Sequence, residues 1–248
     1  MTKRPNFLFI ITDQHRADHL GCSGHPVLKT PHIDSIAARG TKFDRFYVAT
    51  PVCQPNRSTL VTGRMPSLHG VRSNGIPLDM RANTFVDGLR TGGYTTALVG
   101  KRHIQNMTKM PPIHVRQDLK DGYTSLRDAM PEAFAVDIEG DYRQEHPERW
   151  ETGEPYDLDL PFYGFEHVDL CTEHSDHVGG QYYAWLKQQR PDADELRNRD
   201  NQLAHDYECP QAYRTAIPEK FYPTSYIREK TLDYIDRHVA VDSAKPFF

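Results

Sequence analysis

Asn6-Phe-Leu-Phe-Ile-Ile-Thr12, followed at once by Asp13-Gln14-His15-Arg16, is the stretch from which the rest of the chain is read. An uncharged apolar run without alternation predicts a parallel strand covered on both faces rather than a strand with one wet face. The run is too short to span a bilayer, which needs roughly 20 apolar residues. Lys3 and Arg4 give it the positive flank of a signal peptide, but charged residues stand where a small-residue cleavage site would be. The form written here therefore reads as cytoplasmic, with no membrane partner. Parallel strands place sites at their carboxyl ends, which makes Asp13 and Gln14 the first candidates for chemistry.

Working outward, Pro31 to Arg39 reads as a helix, with Thr30 as N-cap, Pro31 at its first position and Gly40 as its stop. Phe43 to Val48 predicts a second strand. A short helix follows Cys53, from about Asn56 to Thr62, ended by Gly63. Asn83 to Thr91 predicts another helix, and Tyr94 to Val99 a strand running into Gly100-Lys101. Strands alternating with helices predict an α/β fold, a mostly parallel central sheet flanked by helices. Residues 1–105 form the motif-bearing core. Residues 106–222, rich in Pro, Asp, Glu and Arg, read as irregular insertions on solvated connections, with a strand at 165–171 and a helix at 179–189. Residues 223–248 hold a helix over 224–238 and then Lys245-Pro-Phe-Phe248, the start of a further strand. A sheet that begins a strand there is expected to be truncated.

The 248 residues can bury one sizeable core. With 30 basic against 34 acidic residues, the net charge of -4 offers no basic footprint, so nucleic acid is not an expected partner. Cys22, Cys53, Cys171 and Cys209 lack C-x-x-C spacing and are expected as free thiols.

The most specific stretch is Pro51-Val-Cys53-Gln-Pro55-Asn-Arg57-Ser-Thr-Leu-Val-Thr62-Gly63-Arg64. A residue at a helix start meets backbone N–H groups and the positive end of the dipole, an arrangement suited to an anionic group. Arg57, one turn on, can reach back toward the same anion. For Cys53 taken alone, a buried free thiol before a helix is the plainer reading. A second group is Asp13-Gln14, a carboxylate and an amide oxygen of the hard type that suits Ca²⁺, Mg²⁺ or Mn²⁺; an acid after a strand is otherwise commonly a helix cap. A third is Gly92-Gly-Tyr-Thr-Thr-Ala-Leu-Val-Gly100-Lys101-Arg-His103, where a cation and an imidazole on the same side of a strand end suit an oxyanion site.

Together these stretches resemble the formylglycine-dependent sulfatases of the alkaline phosphatase superfamily, in which Cys-x-Pro-x-Arg is followed, after four intervening residues, by Thr-Gly. Cys53, Pro55, Arg57, Thr62 and Gly63 all match. The resemblance implies that Cys53 is oxidised by a dedicated maturation enzyme to formylglycine, whose hydrate attacks the ester and then expels the sulfate through its second hydroxyl. By the same resemblance Arg57, Lys101 and His103 are catalytic, and Asp13, Gln14 and the converted Cys53 hold a divalent cation, Ca²⁺ first, with Mn²⁺ or Mg²⁺ as alternatives. Most members carry Asp-Asp where this chain has Asp13-Gln14, which resembles the phosphonate monoester hydrolase branch instead.

His174-Ser175-Asp176-His177 resembles the family's second metal pair locally. Asp176 follows Cys53 by only 123 positions (176 − 53), without the strong apolar strand that precedes the pair elsewhere in the family. A surface histidine cluster or a wall of the substrate pocket is the expectation for it. His15, His25, His69 and His205 have no partner pattern and read as structural or surface residues. The function expected is metal-dependent hydrolysis of a small-molecule or sugar sulfate ester. The alternatives are hydrolysis of phosphonate monoesters or phosphodiesters, or a non-catalytic relic that binds an anion or a partner. A truncated sheet edge makes a homo-oligomer an expected state.

Overall fold

The computed structural model describes residues 4–109, 121–122, 140–209, 212–242 and 244–248. Its helices are α1 (Pro31–Arg39), α2 (Cys53–Thr62), α3 (Pro66–His69), α4 (Phe85–Thr91), α5 (Gln181–Gln189), α6 (Ala193–Arg197) and α7 (Pro223–Asp242). Its strands are β1 (Ala97–Lys101), β2 (His167–Thr172) and β3 (Gly179–Gly180), in the order β1-β2-β3.

β1 and β2 run parallel, with Ala97 opposite His167 and Lys101 opposite Cys171. β3 pairs antiparallel with the end of β2. On the far side of β1, residues 246–248 lie alongside in parallel. The Thr95 N–H donates to Pro246 O at 3.0 Å, the Phe248 N–H to Thr95 O at 2.9 Å, and the Ala97 N–H to Phe248 O at 2.9 Å. Beyond them, the Phe7 N–H donates to Phe247 O at 2.9 Å. The expected start of a strand after Lys245 is thus a sheet neighbour, stitched between β1 and the N-terminal run.

Local chemistry explains the element ends. α4 begins with a reciprocal cap: the Thr84 hydroxyl accepts the Asp87 N–H at 3.1 Å, and the Asp87 carboxylate accepts the Thr84 N–H at 3.3 Å. Gly164 (φ +91°) turns the chain against that cap. A Cβ there would stand 2.7 Å from the Asp87 nitrogen, so only glycine lets the turn seat. One buried cluster joins Val61 of α2, Val86 of α4, Ile104, Trp150, Phe162 and Leu170 of β2. A second, of Cys171, Tyr182, Leu186 and Tyr226, packs α5 and α7 against β2. Each holds the strand that carries the site on one of its faces.

The helices expected at 31–39, 83–91, 179–189 and 224–238 are present within a few residues, as is the strand near 165–171. The helix expected from Asn56 begins three residues earlier, at Cys53. Two expectations need correction. Residues 6–12 are not a buried strand: Phe7 makes its single bond to Phe247, while Leu8, Phe9 and Ile10 are 61, 55 and 71 % exposed. Residues 43–48 are likewise irregular, with Phe46 81 % exposed. An apolar run becomes a buried strand only when neighbours cover both edges and faces, and among the described residues the run at 6–12 has a neighbour on one edge. The segment 140–165, expected as solvated connection, is irregular but packed, with Gln144, Glu145 and Phe162 fully buried. The four cysteines are free thiols. Among the described residues no helix is long and apolar enough to cross a membrane.

Candidate active site

Four elements deliver the site: the end of the run at 6–13, the start of α2, the end of β1, and the turn after β2. The β1–β2 register sets two of them, because Lys101 closes β1 opposite Cys171, and Glu173-His174 leave β2 just beyond it. The Lys101 Nζ donates to Asp13 Oδ2 at 2.9 Å, and His174 Nδ1 lies 3.0 Å from the same oxygen. The Arg57 Nη2 faces Asp13 Oδ1 at 3.7 Å, while its Nη1 donates to the Lys101 carbonyl at 2.9 Å. That second bond ties the Cys53 helix to the strand that carries Lys101. The Asp13 carboxyl is held well below its ordinary range by the His174 hydrogen bond; burial opposes this, and Lys101 and Arg57 reinforce it.

Cys53 opens α2 with its Sγ 3.6 Å from the Asn74 side-chain oxygen, which also accepts the Gln54 N–H at 3.2 Å. Arg57 follows one turn later on the same helix and is buried, as expected for a guanidinium that reaches an anion from within. His103 is 3 % exposed, and neither ring nitrogen has a hydrogen-bond partner among the described residues. Burial, then the charges of Lys101 and Arg57, pull its pKa down to about 3. It is therefore a neutral imidazole at pH 7, able to accept or donate one proton.

Sign and window follow from that depression. Below about 6.5 the unfolded histidine takes up a proton that the folded one refuses down to about 3. His103 therefore contributes stability that is fully present above pH 6.5 and lost as pH falls toward 3. The slope is at most about 1.4 kcal/mol per pH unit. Urea denaturation of wild type and His103→Asn between pH 7 and 4 should show the variant losing stability less steeply; equal slopes would contradict the assignment.

Gln14, His103, Glu173 and Ser175 all have left-handed backbone (φ 53°, 51°, 62° and 54°). Each such residue costs on the order of 1–3 kcal/mol, and strain of this kind gathers where geometry is set for function. Beside His103 and His174 lies an open cavity of about 540 Å³, lined among others by Asn74, Trp150, Thr172, His177, Tyr183 and Arg197. In the cluster at 174–177, His174 and His177 both line the cavity, and His174 also reaches Asp13. Asp176 is buried, its carbonyl accepting from the Arg197 side chain at 2.8 Å and its Oδ1 without a hydrogen-bond partner among the described residues. The His69 ring lies 3.0 Å from the Thr59 hydroxyl and accepts the Val71 N–H at 3.1 Å.

Sequence reasoning did not single out His174 as a partner of Asp13, nor Asn74 at the Cys53 thiol. Asn74 precedes a glycine and reads as an ordinary turn. His174 sits 73 positions from the lysine it meets, and only strand register brings it there.

The donor set can be weighed against a hard divalent cation. Asp13 and Gln14 are oxygen donors of the right type, but such ions take six or more ligands. Among the described residues no three His, Cys, Asp or Glu side chains are grouped to hold a metal. Asp13 and Gln14 therefore fit one part of a coordination shell.

A family model described as Sulfatase matches residues 5–248. An N-acetylglucosamine-6-O-sulfatase of Bacteroides thetaiotaomicron is 35% identical over 103 residues, covering 42% of this chain and 18% of the relative. The steryl-sulfatase of Rattus norvegicus is 40% identical over 111 residues, covering 40% of this chain and 19% of the relative. Among solved structures, the phosphonate monoester hydrolase of Agrobacterium radiobacter aligns with a TM-score of 0.62 and 27% identity, over 99% of this chain and 40% of its own. The chain spans about a fifth of the length of the curated relatives it matches.

Proposed function

Because the chain belongs to the sulfatase family, we propose that it carries the nucleophile and anion-binding part of a sulfuric ester hydrolase. The observation that carries this reading is the convergence of Arg57, Lys101 and His174 on Asp13, with Arg57 one turn along the helix that Cys53 opens. Two permanent cations and an imidazole gathered around a single carboxylate leave positive charge in excess, the condition for drawing in a sulfate monoanion.

In its formylglycine form Cys53 supplies a geminal diol as nucleophile, and a cation held in part by Asp13 and Gln14, Ca²⁺ first, supplies Lewis acidity. The chain's own residues then divide the remaining work. Arg57 and Lys101 bind the non-bridging sulfate oxygens and stabilise the charge that builds on them in the transition state. Asp13 keeps both cations turned inward. His103, neutral and buried, takes the proton whose departure releases the sulfate from the nucleophile. The open cavity beside it accommodates the alcohol portion, with Met107 and Trp150 offering apolar surface and Asn74, Thr172 and His177 offering hydrogen bonds, a mixed lining of the kind that takes a sugar ring.

A second reading, hydrolysis of a phosphonate monoester or phosphodiester, is favoured by Gln14 in place of a second acid. It is also favoured by the full-length alignment with the Agrobacterium enzyme. Paired rates on nitrophenyl sulfate and phenyl phosphonate esters separate the two; a preference for the phosphonate ester rejects the sulfatase reading. Mass spectrometry of the Cys53 peptide tests the nucleophile. The expected result is loss of sulfur and gain of a carbonyl oxygen at Cys53. An unmodified thiol after co-expression with the maturation enzyme contradicts it.

A further inference from the structure

We propose that Glu145 is a positioning residue that sets the geometry of the Lys101–His103 turn and couples it to the nucleophile helix. Its side chain is fully buried, yet no cation pairs with it directly among the described residues. Instead its carboxylate accepts three successive backbone N–H groups: His103 to Oε1 at 2.6 Å, and Ile104 and Gln105 to Oε2 at 2.8 and 2.5 Å. Consecutive amides point to one acceptor only when the backbone coils, and the left-handed φ of His103 provides that coil. Without the carboxylate, three buried N–H groups would lack partners at the point where the chain turns out of β1.

The same turn is held from its other side. The Ile104 carbonyl accepts the Leu78 N–H at 2.8 Å and faces the Gln54 side-chain amide at 3.4 Å. Gln54, also fully buried, follows Cys53 in α2. The path from Glu145 through the turn to Gln54 therefore reaches the residue beside the nucleophile in two steps. The carboxylate is itself immobilised on a platform: the Trp150 indole donates to Gln144 O at 3.0 Å, and Gln105 and Gln144 bond through side chain and backbone at 3.0 Å. Arg102, buried on the ring of Phe165 at 5.0 Å, supplies the compensating positive charge nearby, and burial pulls its pKa down to about 10. A carboxylate fits this place better than an amide because it can accept every one of the three bonds, whereas glutamine can accept through one oxygen only.

The test is amide hydrogen exchange on the whole protein, read residue by residue in wild type, Glu145→Gln and Glu145→Asp. In the Gln variant, exchange at His103, Ile104 and Gln105 should speed up roughly 10- to 100-fold, the loss expected when charge-assisted bonds go. Exchange at Leu170 and Val168 in β2 should stay unchanged, which a general loss of stability would not allow. The turnover arm rests on the hydrolase reading above: kcat on the preferred ester should fall about 10²-fold with KM little altered, as for a misplaced catalytic group. The exchange arm needs no turnover, so it decides this inference even in a preparation that is inactive; the hydrolase reading is tested separately, by paired ester rates on a preparation whose Cys53 is converted. If the Gln variant does not fold, the Asp variant decides, because it keeps the charge and shortens the reach. Exchange rates at the three amides equal to wild type in a folded variant, or acceleration spread evenly over β2, would overturn the proposal.

Discussion

Cys53→Ala, in a preparation that turns over an aryl sulfate, is expected to lose at least about 10⁴-fold in kcat, the scale on which enzymes lose rate when the nucleophile is removed. Its fold should survive, since the Cys53 Sγ makes one long contact to Asn74, and α2 is held instead by Gln54, Arg57 and Val61. Cys53→Ser is the sharper variant. A serine hydroxyl can attack the ester once but has no second hydroxyl with which to release the product. The expected trace is a single stoichiometric burst, with sulfate left on the protein. Steady turnover by the serine variant would refute the two-hydroxyl argument, and with it the assignment of Cys53.

Lys101→Ala should produce the next largest loss, about 10² to 10³ in kcat, because one preorganised cation leaves the developing charge. The geometry adds a second expectation. The Lys101 Nζ is the short partner of Asp13 Oδ2, so without it the carboxylate faces Arg57 at 3.7 Å and the His174 imidazole alone. Inhibition by inorganic sulfate should weaken together with kcat, since the same ammonium serves ground and transition state. Lys101→Arg should recover little: a planar fork does not reproduce a point charge in a side chain only 11 % exposed. Steady-state rates and sulfate inhibition constants for both variants check this, and a Lys101→Ala variant within a few-fold of wild type would remove Lys101 from the chemistry.

What the sequence made legible followed from local rules. α1 could be read from Pro31 and Gly40, the start of the nucleophile helix to within a turn, and β1 from the apolar run into Gly100-Lys101. Asp13, Arg57 and Lys101, picked out as separate motifs, do come together. The misses have a common physical cause. His174, Asn74 and Glu145 matter because of partners 73, 21 and about 40 positions away; the histidine cluster around His174 was visible, but nothing local tied it to Asp13, and nothing in their own neighbourhood marks Asn74 or Glu145. Glu145 lies in a polar stretch whose composition argues for solvent, and only the demand of three coiled amides for an acceptor draws it inside. The runs at 6–12 and 43–48 failed in the opposite sense, because apolar composition declares what a segment can bury and leaves open what is there to bury it.

The stitching of residue 7 to 247, and of 246–248 to 95–97, orders events in time. Arg57, Lys101, His103 and Glu145 find one another through contacts that close within residues 53–181. Asp13 is delivered by a segment held twice: at residues 92–94, where Arg4 donates to the Gly92 carbonyl and Phe7 stacks on Tyr94 at 5.8 Å, and 241 positions along the chain, where the Phe247 N–H donates to the Asn6 side chain. Closing so long a loop comes late in folding. On a ribosome adding about 5–20 residues per second, the early turn and helix have about 5–20 seconds to settle between synthesis of Glu145 and of that anchor. The turn around Lys101 and Glu145 can thus close early, and the edge that joins residue 7 to residue 247 seals the sheet after it.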